Sequence, residues 1–155
     1  MAMLGRAVRR AAGGITMDGQ PLTIAVINHN GRPVLGPTLE ALGRVMHRPL
    51  ELLLVDDGSS DGSAAWAQRQ CPALRVLCVS PPAGRPSVPR NLALRAARSR
   101  YVLLLDHDVR LHPAAPGRLL AAILARPGIA AVTPRLVFAD DPQRLYADGT
   151  DLHYL

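Results

Sequence analysis

Two carboxylates one residue apart, Asp106 and Asp108, follow directly on the apolar run Tyr101 to Leu105. At the end of a buried strand, such a pair can turn toward one hard divalent cation. Mg²⁺ and Mn²⁺ take one or two protein carboxylates and complete their coordination with water and substrate phosphates. A cation held this way bridges a diphosphate and neutralises the charge that builds when it leaves. D-x-D alone also describes a solvated turn. Its place after YVLLL gives it weight.

Two further polar clusters end apolar runs: Asn28-His29-Asn30 after LTIAVI, and Asp56-Asp57-Gly58 after LELLLV. In open α/β sheets ligands bind in the crevice beyond the carboxyl ends of the strands, so all three clusters fall on one edge and form one candidate site. Other chemistries are disfavoured. Asp57 to Gly62 imitates the start of a calcium loop, but its twelfth position is Gln68 rather than a bidentate glutamate. The turn after the first run has no G-x-G-x-x-G, and no H-E-x-x-H occurs.

Composition narrows the field further. All 18 basic residues are arginine. Without lysine there is no P-loop and no Schiff base. The net charge of +6 suggests nucleic acid, but three of the arginines (Arg6, Arg9, Arg10) stand near the start and aromatic stacking platforms are few. A phosphorylated small molecule suits the guanidinium fork better, and no nucleic-acid partner is expected. Cys71 and Cys78 form neither a disulfide framework nor a C-x-x-C pair, which fits a reducing compartment. No run approaches the ~18 apolar residues of a membrane span. The basic start lacks the apolar stretch of a secretory signal, leaving a tail or a membrane-surface helix.

The elements that must position the clusters alternate between short apolar runs and helical periodicity. Strands are expected at Leu22 to Ile27, Leu50 to Val55, Leu74 to Val79, Tyr101 to Leu105 and Ile129 to Val132. Helices are expected from Leu35 to Met46 with Pro37 in the first turn and Pro49 as terminator, and at Ser63 to Gln70 with Ser63 as cap. Two more are expected at Arg90 to Arg98 and Pro116 to Arg126. This rhythm predicts an α/β, Rossmann-like domain with a mostly parallel sheet flanked by helices. Residues 1–20 read as a flexible basic tail and 21–155 as one domain.

The segments LTIAVINHN, ELLLVDDGSSDGS and GRPSVPRNLALRAARSRYVLLLDHDV, in that order, resemble family 2 glycosyltransferases of the GT-A fold. The resemblance runs from Leu22 to about Tyr154. It implies a nucleoside-diphosphate-sugar-binding portion, cut off before the acceptor-binding half, with Tyr146 to Leu155 as the start of that half. It also implies a UDP- or dTDP-sugar donor, a saccharide, lipid-linked or polymer acceptor, Mg²⁺ or Mn²⁺, and inverting transfer. The implied location is cytoplasmic, with peripheral contact at the inner face of the membrane as an alternative.

The nucleotide-sugar-binding residues implied are Asn28, His29, Asn30, Asp56, Asp57, Arg90 and Asp106. Asp108 is the implied metal ligand, and Asp106 a second metal or a ribose contact. His29 stands where the family often has tyrosine. Asp57 would accept the base's imide proton, while Asp56 would contact ribose or hold the turn. Asn91 would cap or brace its helix. The loop Gly84 to Asn91 is about one residue longer than the family's spacing, so Arg85 and Arg90 both remain open as the diphosphate contact. No catalytic base is assigned; Asp140, Asp141, Asp148 and Asp151 read as loop acids. A module without turnover of its own, and a nucleotidyltransferase on a similar sheet, are the alternatives. The second is weakened by the missing lysine and phosphate loop.

Overall fold

The computed structural model describes residues 21–45 and 51–148. The segments read as the tail, the Pro49 terminator and the chain's last residues lie outside these.

Four strands make one parallel sheet in the order β3-β2-β1-β4: β1 (Leu22–Asn28), β2 (Glu51–Asp56), β3 (Leu74–Cys78) and β4 (Tyr101–Asp106). Four helices connect and flank them: α1 (Leu35–Gly43), α2 (Ser63–Gln70), α3 (Ser87–Ala96) and α4 (Ala115–Leu124). A separate antiparallel pair, β5 (Leu136–Val137) and β6 (Leu145–Ala147), follows.

Continuous apolar runs suit β1 and β2 because both faces of the sheet are covered, and successive side chains point to opposite faces. Ile24, Val26, Leu52 and Leu54 pack with Leu35, Leu39 and Leu42 of α1 and with Ala67 of α2. Ala25, Ile27, Leu53 and Val55 face the other way, onto Ala93 of α3. The chain winds outward from β1 through β2 to β3, then α3 crosses back to place β4 on the other side of β1. The strand order therefore reverses between β1 and β4. The register pairs Asn28 with Asp56 and Ile27 with Asp106, so the polar ends of three strands finish level.

Several local expectations are corrected. The segment Ile129 to Val132 is not a strand; the strands of that region are β5 and β6, and Ile129 is 38% exposed. Helix α3 begins at Ser87, three residues before Arg90, because proline is tolerated in a first turn and Pro89 is buried there. Asn91 is consequently exposed within the helix rather than placed at its start. Ser63 does not cap α2. Gly62 occupies that position with φ 71°, and Asp61 Oδ1 accepts the Ser63 N–H at 2.9 Å.

Candidate functional site

The reversal of strand order opens a crevice at the carboxyl ends of β1 and β4, where α/β folds bind ligands. A cavity of about 450 Å³ lies there. Asn28, His29, Asp57, Arg90, Asp106 and Asp108 all line it, so six of the eight residues singled out in the sequence meet in one cleft. Arg85 lines it as well, so two guanidinium groups share the cleft with the carboxylates.

The remaining two, Asn30 and Asp56, stand behind the cleft as bracing. Asp56 is 3% exposed. Its Oδ1 accepts from Asn28 Nδ2 (2.6 Å) and Ser59 Oγ (2.6 Å), and its Oδ2 from the Ser59 N–H (3.0 Å). Of the roles open to Asp56, these bonds describe the one that holds the turn. Asn28 Nδ2 also donates to Ser63 Oγ at 2.8 Å, which explains why a serine sits buried at the start of α2. Asn30 takes φ 48°, a left-handed conformation that asparagine tolerates. Its Oδ1 accepts the Ser60 N–H at 2.9 Å.

That last bond fixes a proton one residue away. With Oδ1 engaged, the Asn30 amide nitrogen faces His29 Nε2 at 3.1 Å and donates to it. On the ring's other side His29 Nδ1 lies 2.7 Å from the Asp57 carbonyl oxygen, which can only accept. The network therefore favours the tautomer with its proton on Nδ1. Asp57, 7% exposed, accepts the Ala83 N–H through Oδ1 at 2.8 Å, tying the proline-rich loop to the end of β2.

The Asp106-His107-Asp108 turn is held from below. Thr38 of α1 donates to the His107 carbonyl at 2.7 Å. Gly31 passes so close that a Cβ there would lie 2.3 Å from Asn28 Oδ1 and 2.9 Å from His107 Cδ2, so only glycine fits. Gly58 is a second required glycine: φ is 63° and an added Cβ would meet Pro82 at 2.5 Å. Asp106 and Asp108 themselves are exposed, and Asp106 Oδ1 accepts from Arg90 Nη2 at 2.8 Å.

Of this bracing the sequence reading offered only Asp56 as a holder of the turn and missed its partners. No motif marks Thr38 or Ser63, although Gly31 and Gly58, each just past a strand end, were a usable signal. Two of the later acids are engaged elsewhere. Asp148 pairs with Arg135 at 2.9 Å, and Asp141 Oδ1 accepts the Gln143 N–H at 3.1 Å. Among the described residues no helix is long and apolar enough to cross a membrane.

A parallel sheet with a carboxylate-bearing turn at its reversal point is shared with solved structures of GT-A glycosyltransferases. S. aureus TarS, solved with UDP-GlcNAc, matches with a TM-score of 0.59 and 25% identity, covering 68% of this chain and 31% of that one. The mannosyltransferase PcManGT from Pyrobaculum calidifontis, solved with GDP-Man and Mn²⁺, matches at 0.64 and 22%, covering 80% and 39%. Glucosyl-3-phosphoglycerate synthase from Mycobacterium tuberculosis, solved with Mn²⁺, UDP and glucosyl-3-phosphoglycerate, matches at 0.59 and 20%, covering 79% and 44%.

The model of glycosyl transferase family 2 matches residues 23–152, and the chain belongs to that family. It is also 31% identical over 135 residues to the uncharacterized protein y4gI of Sinorhizobium fredii, covering 80% of this chain and 14% of that one. The chain thus spans less than half the length of each of these relatives.

Proposed function

We propose that the cleft binds a nucleoside-diphosphate sugar together with Mg²⁺ or Mn²⁺, for transfer of the sugar, with inversion, to an acceptor hydroxyl. The observation that carries this reading is the convergence of Asp106, Asp108, Arg85 and Arg90 on one cleft at the sheet's reversal point. TarS with UDP-GlcNAc and PcManGT with GDP-Man and Mn²⁺ support it.

The donor set suits such a cation. Among the described residues no group of three or more His, Cys, Asp or Glu stands ready for a metal, which argues against a closed zinc-type cage. Two exposed carboxylates with room around them suit a hard cation that keeps water and phosphate oxygens as its other ligands. When bound, that cation would stabilise the charge on the departing diphosphate. Asp108 would be its direct ligand, with Asp106 as a second ligand or a ribose contact. Arg85 and Arg90 would meet the diphosphate. Asp57 would accept a proton from the base, and the His29 ring would lie along it. The later acids Asp140, Asp141 and Asp148 are outside the cleft lining, which leaves the base for the acceptor hydroxyl unassigned among the described residues.

Thermal melting with UDP, dTDP or GDP, each with and without Mn²⁺, tests the reading. A ligand at 100 times its Kd adds about 2.7 kcal/mol, enough to register as a shift in Tm. Nucleotide and metal together should stabilise more than the sum of each alone. Asp108→Asn should abolish the metal-dependent part while leaving the unliganded Tm nearly unchanged, because the residue is exposed. Asp106→Asn should weaken it less, and Asp140→Asn should leave it intact. A full Mn²⁺-dependent shift in the Asp108 variant overturns the metal assignment.

A further inference from the structure

Arg90 does two things at once. It lines the cleft, and its Nη2 donates to Asp106 Oδ1 at 2.8 Å. A carboxylate oxygen engaged by a guanidinium offers less to a second cation, and the guanidinium's charge repels that cation. The pair is open to water, with the Arg90 side chain 37% exposed and that of Asp106 51% exposed. Exposed pairs of this kind are weak, so the partners can separate at little cost. Arg90 stands near the start of α3 on arginine's flexible stem, and Arg85 lines the same cleft.

We infer that Arg90 is an exchangeable counter-ion: it holds Asp106 until a metal-bound diphosphate arrives, then releases that carboxylate and turns its fork onto the phosphates. Arg90 and the divalent cation compete for the same carboxylate when each is alone with the protein, and cooperate once a diphosphate gives the guanidinium a second anionic partner. The inference rests on the nucleotide reading of the cleft. Arg90 is thereby a positioning residue whose removal acts in opposite directions on the two ligands.

The sign reversal is the test. Mn²⁺ alone is titrated into the full chain and followed by the electron-paramagnetic-resonance signal of free Mn²⁺. UDP and GDP are titrated separately, in EDTA, by calorimetry. Arg90→Gln should bind Mn²⁺ about three- to fivefold more tightly, the most that an exposed ion pair withholds. The same variant should bind the metal-free nucleotide at least about tenfold more weakly, since a charge-assisted contact to phosphate is lost. Arg90→Lys keeps the charge but not the fork, and should lie between wild type and Arg90→Gln for both ligands. It also decides the matter if the glutamine variant melts early. In an Asp106→Asn background, Arg90→Gln should tighten Mn²⁺ binding by less, since only the charge repulsion is then relieved.

Unchanged or weaker Mn²⁺ binding by both Arg90 variants overturns the exchange. Failure of the wild-type protein to bind UDP, dTDP or GDP with Mn²⁺ sinks the nucleotide reading instead, and the Mn²⁺-alone comparison still decides whether Arg90 and a cation compete.

Discussion

The two ends of the parallel sheet use the same pair of residue types to opposite effect. At the amino end of β2, Glu51 has a side chain only 6% exposed. Arg75 on β3 pairs with it, Thr23 Oγ1 donates to it at 3.1 Å, and the Arg98 N–H donates at 3.0 Å. Arg75 is itself fixed by the Ala96 carbonyl at 3.2 Å, which joins the sheet to the end of α3. At the carboxyl end, Asp106 faces water and holds one arginine. A carboxylate that is enclosed and given several donors locks elements together. One that is open and given a single donor stays available to a ligand. Burial and donor number, rather than residue type, separate the two ion pairs.

The largest effect should come from breaking the closed end. Glu51→Ala leaves the Arg75 guanidinium without its anion and should cost about 3 kcal/mol, the lower end for a buried pair because Arg75 is 31% exposed. For a chain of this size that lowers Tm by roughly 6–12 °C. A fall of under about 3 °C would mean that Arg75 simply rehydrates and the two ends do not differ in kind. Gly31→Ala should come next, at about 1–3 kcal/mol, because Asn28 is held by its own bonds and cannot yield to the added methyl. That variant should also blunt the nucleotide- and metal-dependent melting shift, since the displaced His107 carries the carboxylate turn. A normal shift on a destabilised fold would separate the bracing from the site.

The smallest effect concerns Asp61, which bridges the two loops behind the cleft through the Arg32 N–H (2.8 Å) and the Ser63 N–H (2.9 Å). Burial raises its carboxyl pKa, but hydrogen bonds from Ser63 and Arg32 outweigh that and hold it below the ordinary value. A lowered pKa contributes stability above the ordinary carboxylate range, and that contribution is lost as pH falls through the folded value. Asp61→Asn should therefore melt about 2 °C or less below wild type near neutral pH, as an exposed group at a helix start allows. The two curves should converge in acid. A gap that persists there would trace the effect to lost geometry rather than charge.

The sequence carried the architecture well because β1 and β2 are buried on both faces, and such strands are written as unbroken apolar runs. It also carried the cleft, since polar residues that interrupt those runs at their carboxyl ends have one place to go. It did not carry the division of labour within the cleft. Asp56 and Asp57 are adjacent carboxylates, and only the hydrogen bonds of Asn28 and Ser59 separate the brace from the residue facing the cavity. The Ile129 to Val132 reading failed for a different reason. A short apolar stretch is a strand only if a partner edge accepts it, and here the pairing falls to Leu136–Val137 with Leu145–Ala147.

The bond from Thr38 to the His107 carbonyl spans 69 residues, whereas Asn28 to Asp56 and Asn28 to Ser63 span 28 and 35. Contacts of short separation close early in folding, and those of long separation await the chain between them. The brace behind the β1–β2 end of the cleft can thus assemble as a βαβ unit during synthesis, before β4 has emerged to dock on β1. The acidic turn is the last piece delivered. On the metal reading proposed above, a nascent chain halted before that docking would carry the brace without the cation ligands, so divalent-metal affinity would report completion of the sheet.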